Sequence, residues 1–418
     1  MRIIADLHVH SKYARATSPQ CDVQGLARGA KVKGIGLMAT GDFTHPSYFE
    51  ELRAHLTPSE EGGGEEGIYT HDGMRFLLST EVGITYNEDG KNHRMHHVLL
   101  VPSLEIAAQI NDRLSRYGNL KEDGRPTLSI SCSALAEELF AVSKDIIIIP
   151  AHCWTPWFSI FGSKGGVDHV EEAFADKADR IFALETGLSS DPAMNWMLSS
   201  LDRYTLVSNS DAHSLGKLGR EANVFELEKL TFRSLTEAIR TRKGFVKTYE
   251  FYPEEGKYHY DGHRDCKVLL SPWESMEKKN ICPVCRKKLT IGVMHRIAEL
   301  ADRKFGSKPE NAVPFQHIVP LVTVISKTLK KPETSQLVLD EYSRLVRYFG
   351  NEFAVFEASA EQIRLAADAK MAESLIRVKE GRIRWVPGYD GVFGELLLEE
   401  DKAVRGAVDK KQTSLGDF

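Results

Sequence analysis

The chain has 418 residues, of which 42% are hydrophobic and 27% charged, and its formal net charge at pH 7 is −5. This length suffices for about two or three domains, and the composition is typical of a soluble globular protein. No apolar run approaches the ~18 residues that a transmembrane helix needs, so we predict no membrane segment and no membrane partner. The N-terminus lacks the pattern of a signal peptide, which predicts a cytoplasmic protein. The small net charge excludes an overall basic character, so a surface that binds nucleic acid would have to be local.

One pattern repeats over residues 1–250, where apolar, β-branched runs end in residue types that bind metals. The runs lie at 2–10, 35–42, 76–81, 96–102, 145–152, 180–186 and 205–213. Helix-type segments such as 171–180 and 234–244 separate them. This alternation predicts a parallel α/β sheet. In α/β barrels functional side chains meet at the carboxyl ends of the strands, so we predict a barrel with one polar site.

The first run, ADLHVHS at 5–11, carries two histidines two positions apart. Side chains alternate along a strand, so His8 and His10 point to the same side. Such a pair alone is also compatible with a polar edge strand, but the other runs end in ligand-type residues too. The candidate metal ligands are His8, His10, Asp42, His45, Glu81, His97, His152, Asp211 and His213. This mixture of imidazoles and carboxylates favours Zn, Mn, Fe or Co over Mg alone, and it is large enough for two or three ions.

The motifs DLHVH, TGDFTH, TEV, HHVLL, PAH and SDAH resemble those of the PHP (polymerase and histidinol phosphatase) superfamily of phosphoesterases. The resemblance covers residues 1 to about 215 and implies a distorted barrel that holds up to three metals. The usual Thr-Asp-His triplet is split here, which leaves open whether Asp42 or His45 binds. Residues 14–17 offer no further ligand. Of two adjacent histidines we favour His97 over His96, because it adjoins the apolar strand.

The resemblance also identifies the candidate catalytic residues, Asp211 and His213. Metals lower the pKa of bound water and neutralise the charge that develops on phosphate oxygens, so a cluster of this kind suits phosphoryl chemistry. His213 would be a metal ligand or, alternatively, the acid that protonates the leaving group.

A second metal-type group has the spacing His263-x2-Cys266-x15-Cys282-x2-Cys285. This spacing is typical of a closed structural zinc site, with His259 and His295 as alternatives to His263. We therefore predict a zinc-binding module over residues 251–305. Residues 261–310 contain 11 Lys or Arg against 7 Asp or Glu, which suits a nucleic-acid backbone but also an ordinary solvated surface.

Helical periodicity from residue 293 to about 374 and a glycine-rich hairpin pattern at 377–399 follow the zinc-type residues. They predict a mainly helical C-terminal domain over residues 306–405. The tail, 406–418, is predicted to be disordered. Its end, QTSLGDF, resembles a peptide that binds the PCNA sliding clamp, although a second aromatic residue is absent. The residues that would contact the clamp are Gln412, Leu415 and Phe418, and such a partner suggests an archaeal source.

Longer stretches, at 150–166, 184–196, 208–223, 258–266 and 387–395, are similar to endonuclease Q over almost the whole chain. The resemblance implies a DNA repair enzyme that needs a divalent metal. Such an enzyme nicks on the 5′ side of deaminated bases (uracil, hypoxanthine, xanthine) and of abasic sites. A base must be extruded to be read, and side chains that donate hydrogen bonds would select a carbonyl over an amine. The candidates for this role are Asn209, Ser189 and Ser190.

Two tryptophans that follow His152 are candidates to stack on the DNA or to wedge it open, although packing inside the barrel is an equal alternative. They are Trp154 and Trp157. Two other functions stay open. One is a small-molecule phosphatase of the histidinol-phosphate type, for which the zinc module and tail would have no use. The other is a non-catalytic scaffold that binds DNA and clamp, which the intact ligand set disfavours. We predict a monomer.

Overall fold

The computed structural model describes residues 1–59 and 67–398, which fold into a mixed α/β structure. The clamp-binding residues predicted in the tail lie outside this part of the chain. The strands are Arg2–Asp6 (β1), Leu37–Ala39 (β2), Thr57–Pro58 (β3), Ile68–His71 (β4), Met74–Glu88 (β5), Lys91–Val101 (β6), Thr127–Leu128 (β7), Ile147–Pro150 (β8), Ala183–Glu185 (β9), Thr205–Val207 (β10), Ala222–Glu226 (β11), Phe245–Glu250 (β12), Asp261–His263 (β13), Val268–Leu270 (β14), Phe315–His317 (β15), Arg384–Val386 (β16) and Glu395–Leu397 (β17). The helices are Val23–Lys33 (α1), Pro46–His55 (α2), Leu104–Leu114 (α3), Cys132–Val142 (α4), Val170–Phe174 (α5), Pro192–Asn195 (α6), Phe232–Thr241 (α7), Pro272–Glu277 (α8), Val293–Leu300 (α9), Leu321–Leu329 (α10), Gln336–Phe349 (α11), Glu352–Glu357 (α12), Ala360–Ala366 (α13) and Ala369–Lys379 (α14).

The main sheet has the strand order β15-β12-β11-β1-β2-β5-β4-β3, and β6 joins β5 to β8. Its centre, β1-β2-β5, is parallel, as predicted. The prediction of a parallel sheet is wrong for three other pairs, since β1 and β11, β5 and β6, and β6 and β8 are antiparallel. A tight Asp89-Gly90 turn joins β5 to β6, and two strands joined by so short a turn can only run antiparallel. Strands β9 and β10 form a separate parallel pair.

Each apolar run predicted from the sequence contains a strand. Leu77, Ile149 and Val207, which belong to different strands, are fully buried in one apolar cluster with Leu7, the residue after β1. Strands covered on both faces read as nearly continuous apolar runs, which explains the pattern. The long hairpin β5–β6 is the exception to the strand-end pattern, because Glu81 lies in the middle of β5. The polar centre is therefore lined partly by strand ends and partly by the middle of one hairpin.

The main sheet continues past the predicted boundary at residue 250. Strand β15 pairs in parallel with β12, and Met294 and Ile297 of α9 pack into the core of the first part of the chain. In a separate apolar cluster, the five helices from α10 through α14 pack against the predicted hairpin. The hairpin strands β16 and β17 are confirmed as an antiparallel pair. In the described ranges, no helix combines the length and the apolar character needed to cross a bilayer.

Candidate metal centre

Two carboxylates orient the histidine pair that follows β1. The Nδ1 atom of His8 lies 3.0 Å from Oε1 of Glu185. The Nδ1 atom of His10 lies 2.9 Å from Oδ1 of Asp42. A carboxylate accepts hydrogen bonds, so each ring donates through Nδ1 and keeps its lone pair on Nε2. Carboxylates hold metal-binding histidines in this same orientation.

Glu81 joins two groups of candidate ligands. The groups, in which one ligand atom per residue lies within 4.8 Å of the others, are His8, His10, Glu81 and Asp211, and Glu81, His96 and His152. The Oε2 atom of Glu81 is 3.1 Å from Nε2 of His10. Its Oε1 atom is 3.0 Å from Nε2 of His152. One carboxylate thus faces both groups, as a carboxylate that bridges two ions would.

Several buried atoms at this centre make no hydrogen bond of good geometry among the described residues, although they lie close to one another and to Glu81. They are Nε2 of His8, Nε2 of His10 and Oδ1 of Asp211. Buried polar atoms are rarely left unpaired, so these atoms fit metal ligands. Burial lowers the pKa of His8, but the charges of Glu185 and Glu81 raise it well above its ordinary value. The centre therefore favours added positive charge, and its donors fit a divalent metal.

Three residues of the centre, Asp42, His152 and Asp211, have positive φ angles of 46°, 31° and 45°. Non-glycine residues seldom adopt such angles, and strain of this kind is concentrated at functional sites. Before Asp42, a Cβ atom on Gly41 would lie 2.3 Å from the carbonyl oxygen of Val9. The turn after β2 thus packs directly on the histidine segment, and this position requires glycine.

The structure corrects the choice between the adjacent histidines of β6. Side chains alternate along a strand, and it is His96 that reaches the centre, with Nδ1 2.8 Å from Oε1 of Glu81. His97 is on the opposite face, with Nε2 3.4 Å from Sγ of Cys132 and its ring against Phe174. Burial lowers the pKa of His96 to about 4, so this imidazole is neutral near pH 7, as a metal ligand must be.

We expect His96→Ala to lower the affinity of the centre for a divalent metal by at least about 100-fold. His97→Ala should keep the metal and lower stability by about 1–3 kcal/mol, because it opens a cavity beside Cys132. Metal analysis by mass spectrometry and thermal unfolding of both variants distinguish the two roles. Metal loss in the His97 variant alone would contradict the assignment.

Neither candidate ligand in the TGDFTH segment, Asp42 or His45, belongs to either of the two ligand groups. Asp42 binds the His10 ring through Oδ1, and its Oδ2 accepts the backbone N–H of Ser11 at 2.5 Å. His45 precedes α2 and stacks on Tyr13, with 4.4 Å between the ring centroids. The fold therefore places both residues outside the two ligand groups, and a direct ligand role for Asp42 or His45 stays a prediction. Asp42 positions His10, and His45 packs beside the centre.

Asp211 and His213, the predicted catalytic pair, lie at the open side of the centre, with side chains 23% and 31% exposed. The Nδ1 atom of His213 donates to the carbonyl oxygen of Asp211 at 3.0 Å, which leaves Nε2 with its lone pair. Burial lowers the pKa of His213, and the charge of His10 lowers it further. His213 belongs to neither ligand group, but its Nε2 atom is available to a metal at the open side of the centre.

Sequence reasoning missed Arg125, whose Nη1 atom lies 3.1 Å from Oε2 of Glu81. Its loop is held against the segment that follows the histidine pair. The N–H of Gly124 donates to the carbonyl oxygen of Tyr13 at 3.0 Å. No spacing signals this arginine, because it belongs to a loop rather than to a strand-end motif. Its side chain is 29% exposed, so its positive charge reaches solvent beside the candidate ligands.

Several side chains predicted to contact substrate are used inside the fold instead. Asn209 is fully buried and donates to Oε1 of Glu185 at 2.8 Å, so it supports the centre rather than reading a base. Ser190 is also fully buried and donates to a backbone carbonyl. Trp154 is buried and packs in the core against Phe161 in a tilted arrangement. The candidates that remain at least partly open to solvent are Ser189 and Trp157.

The second predicted metal group is also brought together. One ligand atom per residue lies within 4.8 Å of the others in the group His263, Cys266, Cys282 and Cys285. The rival His295 is held by Asp261, with 2.5 Å between Nδ1 and Oδ2. The rival His259 is buried outside the group. Of the three histidines considered, His263 is therefore the one beside the cysteines.

No family model matches the chain. It is 28% identical to the uncharacterized protein YqxK of Bacillus subtilis (strain 168) over 413 residues, 94% of this chain and 99% of that protein. The crystal structure of the lesion-specific endonuclease PfuEndoQ from Pyrococcus furiosus superimposes with a TM-score of 0.85 and 30% identity, covering 99% of this chain and 100% of that one. An endonuclease Q complex with a 27-mer duplex substrate, with an abasic lesion at the active site, has a TM-score of 0.84 and 30% identity, with coverage of 96% and 98%. This identity, over nearly the full length of both chains, places the protein in the endonuclease Q family.

Proposed function

We propose that this protein is a metal-dependent DNA repair endonuclease of the PHP superfamily. It hydrolyses the phosphodiester on the 5′ side of deaminated bases (uracil, hypoxanthine, xanthine) and of abasic sites. The observation that carries the proposal is the pair of ligand groups that share Glu81, because adjacent ions suit phosphodiester hydrolysis. The relative that was solved with a damaged duplex supports DNA as the substrate.

Two divalent ions, zinc, magnesium or manganese, would be held by the two groups, with Glu81 between them and His213 as a further ligand. A third ion is not needed by these groups. Ions at such a site neutralise the charge of phosphate oxygens and make hydroxide available near neutral pH. The chain itself supplies position. Glu185 and Asp42 fix the orientation of His8 and His10 through their Nδ1 atoms.

Arg125 is the residue that we expect to contact the scissile phosphate. Its planar guanidinium matches the geometry of a phosphate, and it reaches solvent beside the open side of the centre. Ser189 and Trp157 are the remaining candidates to contact the lesion and its neighbours. Ser189 would donate a hydrogen bond to the base, and Trp157 would stack against the duplex.

The test is a nicking assay on duplexes that contain one uracil, hypoxanthine or abasic site. We expect nicks on the 5′ side of the lesion when Mg²⁺ or Mn²⁺ is added and none with a chelator. The undamaged duplex of the same sequence is the control. Hydrolysis of a small phosphomonoester without nicking of any damaged duplex would contradict the proposal and favour a phosphatase.

We further propose a structural zinc ion at His263, Cys266, Cys282 and Cys285, because a closed set of thiolates and one imidazole is typical of such sites. The chain would then comprise three units: a distorted barrel, a small zinc module and a mainly helical C-terminal domain. The pairing of β15 with β12 moves part of residues 306–320 to the barrel. The boundary at residue 305 is therefore not a sharp one.

The C-terminal tail is proposed to bind a PCNA-type sliding clamp, with Leu415 and Phe418 in an apolar pocket and Gln412 in polar contacts. Deletion of Phe418 should abolish capture of the protein by immobilised clamp and leave nicking of a short duplex as it was. Undiminished capture would refute the motif. The monomeric state, the cytoplasmic location and the archaeal source stay predictions.

A further inference from the structure

An exposed row of aromatic rings links three segments that are distant in sequence. Trp157 is 45% exposed and Phe393 67%. The rings of Trp157 and Tyr258 meet edge to face, with 5.5 Å between centroids. The Nζ atom of Lys257 lies 5.8 Å from the Tyr258 ring and 5.6 Å from the Phe393 ring. We name these four residues the aromatic row. Clustered apolar side chains at a surface mark an interaction site, and the adjoining positive charge suits nucleic acid.

The turn that carries Phe393 is well defined. Asp390 and Gly391 have φ angles of 43° and 83°, as in a type I′ hairpin turn. The N–H of Gly391 donates to the carbonyl oxygen of Lys257 at 2.9 Å, which ties the hairpin to the segment that leads into the zinc module. The exposed ring is therefore already positioned, and binding would not have to order its backbone.

The other end of the row adjoins the metal centre. The Oγ1 atom of Thr155 donates to the carbonyl oxygen of Trp157 at 3.0 Å and lies 3.3 Å from Nδ1 of His152. The next residue, Phe158, packs on the ring of His96 with 4.9 Å between centroids. Trp157 is thus directly flanked by side chains that touch candidate metal ligands.

We propose that the aromatic row occupies the space that an extruded nucleotide leaves in the duplex, with Phe393 and Trp157 stacked on the bases that remain. The inference rests on the proposed function. Extrusion of a nucleotide breaks stacking and pairing at the lesion, and aromatic rings that stack on the neighbouring bases compensate for that loss. The row would therefore matter for a lesion in paired DNA and much less for a lesion that is already unpaired.

The test compares Phe393→Ala with the wild type on two substrates, a uracil paired in a duplex and the same uracil in an unpaired bubble. We expect the nicking rate to fall about tenfold on the duplex, the order of one stacking contact, and about twofold or less on the bubble. Phe393→Trp should retain the duplex rate. Tyr348→Ala removes another ring that is 58% exposed, on α11, and serves as the matched control.

A second readout does not involve cleavage. With chelator present, extrusion of the uracil should unstack a 2-aminopurine placed opposite it and raise its fluorescence. The rise should be smaller with the wild type, because a ring stacks on the probe, than with Phe393→Ala. Equal losses of nicking on both substrates, or an undiminished duplex rate, would overturn the inference. Failure of the wild type to nick either substrate would overturn the proposed function and this inference with it.

Discussion

Replacement of Asp211 with Asn is expected to lower the nicking rate on a lesion-containing duplex by at least about 1000-fold. Asp211 Oδ1 lies 3.1 Å from Nε2 of His10 and 3.8 Å from Nε2 of His8. Asn keeps the size of the side chain but removes its charge and its second carboxylate oxygen. A loss of several kcal/mol of charge stabilisation would lower the nicking rate by this factor, because each ~1.4 kcal/mol changes a rate tenfold.

The measurement is single-turnover nicking, together with DNA affinity by fluorescence anisotropy. DNA affinity should be retained, because a loss confined to catalysis leaves the rest of the DNA-binding surface intact. Asp202→Asn is the matched control, since this half-buried aspartate pairs with Arg303 instead of a candidate ligand. Arg125→Gln should show a smaller loss, about 10- to 100-fold, if the guanidinium contacts phosphate. A rate for Asp211→Asn within tenfold of the wild type would contradict a role for this carboxylate in the chemistry.

The sequence alone predicts those ligands whose orientation follows from the alternation of side chains along one strand. Histidines two positions apart share a face whatever the tertiary fold, so His8 and His10 follow from the ADLHVHS segment alone. The sequence also predicts that the polar residues at the ends of the apolar runs lie close together in the fold. His152 and Asp211 could be predicted for that reason, whereas Glu81 lies in the middle of β5 and nothing local shows that it faces two groups.

Choices that depend on register or on hydrogen-bond partners could not be predicted. Which of His96 and His97 faces the centre is decided by the pairing of β6 with β5 and β8, since a shift of one residue exchanges the faces. Asp42 has the chemistry of a ligand, but its oxygens contact the His10 ring and the N–H of Ser11, and nothing local in the sequence shows these contacts. Asn209 likewise has donors suited to a base, but Glu185 already occupies one.

Cys282→Ser is expected to abolish binding of the proposed zinc ion and to unfold the module around β13 and β14, while the main sheet stays folded. Cys282 is fully buried, and the apolar cluster around it is small, with Val268 and Leu289 as its other buried members. So little apolar area cannot stabilise a segment of this length by itself. Structural zinc in small modules contributes about 10–16 kcal/mol of apparent binding free energy, so the ion would account for most of the module's stability.

Zinc content and hydrogen exchange, resolved by peptide, test this prediction. Peptides from residues 261–291 should lose protection, whereas peptides from β1, β5 and β6 should keep it. Cys21→Ser, at another buried cysteine outside the ligand groups, should lower overall stability without loss of zinc. Full zinc content in Cys282→Ser, or loss of protection throughout the chain, would contradict a separate zinc-dependent module.

The same variant connects the module to the metal centre. Asp390 of the C-terminal hairpin accepts hydrogen bonds at 2.6 Å from the backbone N–H of Arg264 and from the hydroxyl of Thr290, both in the module. The hairpin also carries Phe393, so unfolding of the module should release that ring. Cys282→Ser is therefore expected to lose more activity on a uracil paired in a duplex than on an unpaired uracil. This result would link the zinc ion to the handling of paired DNA rather than to the hydrolysis itself.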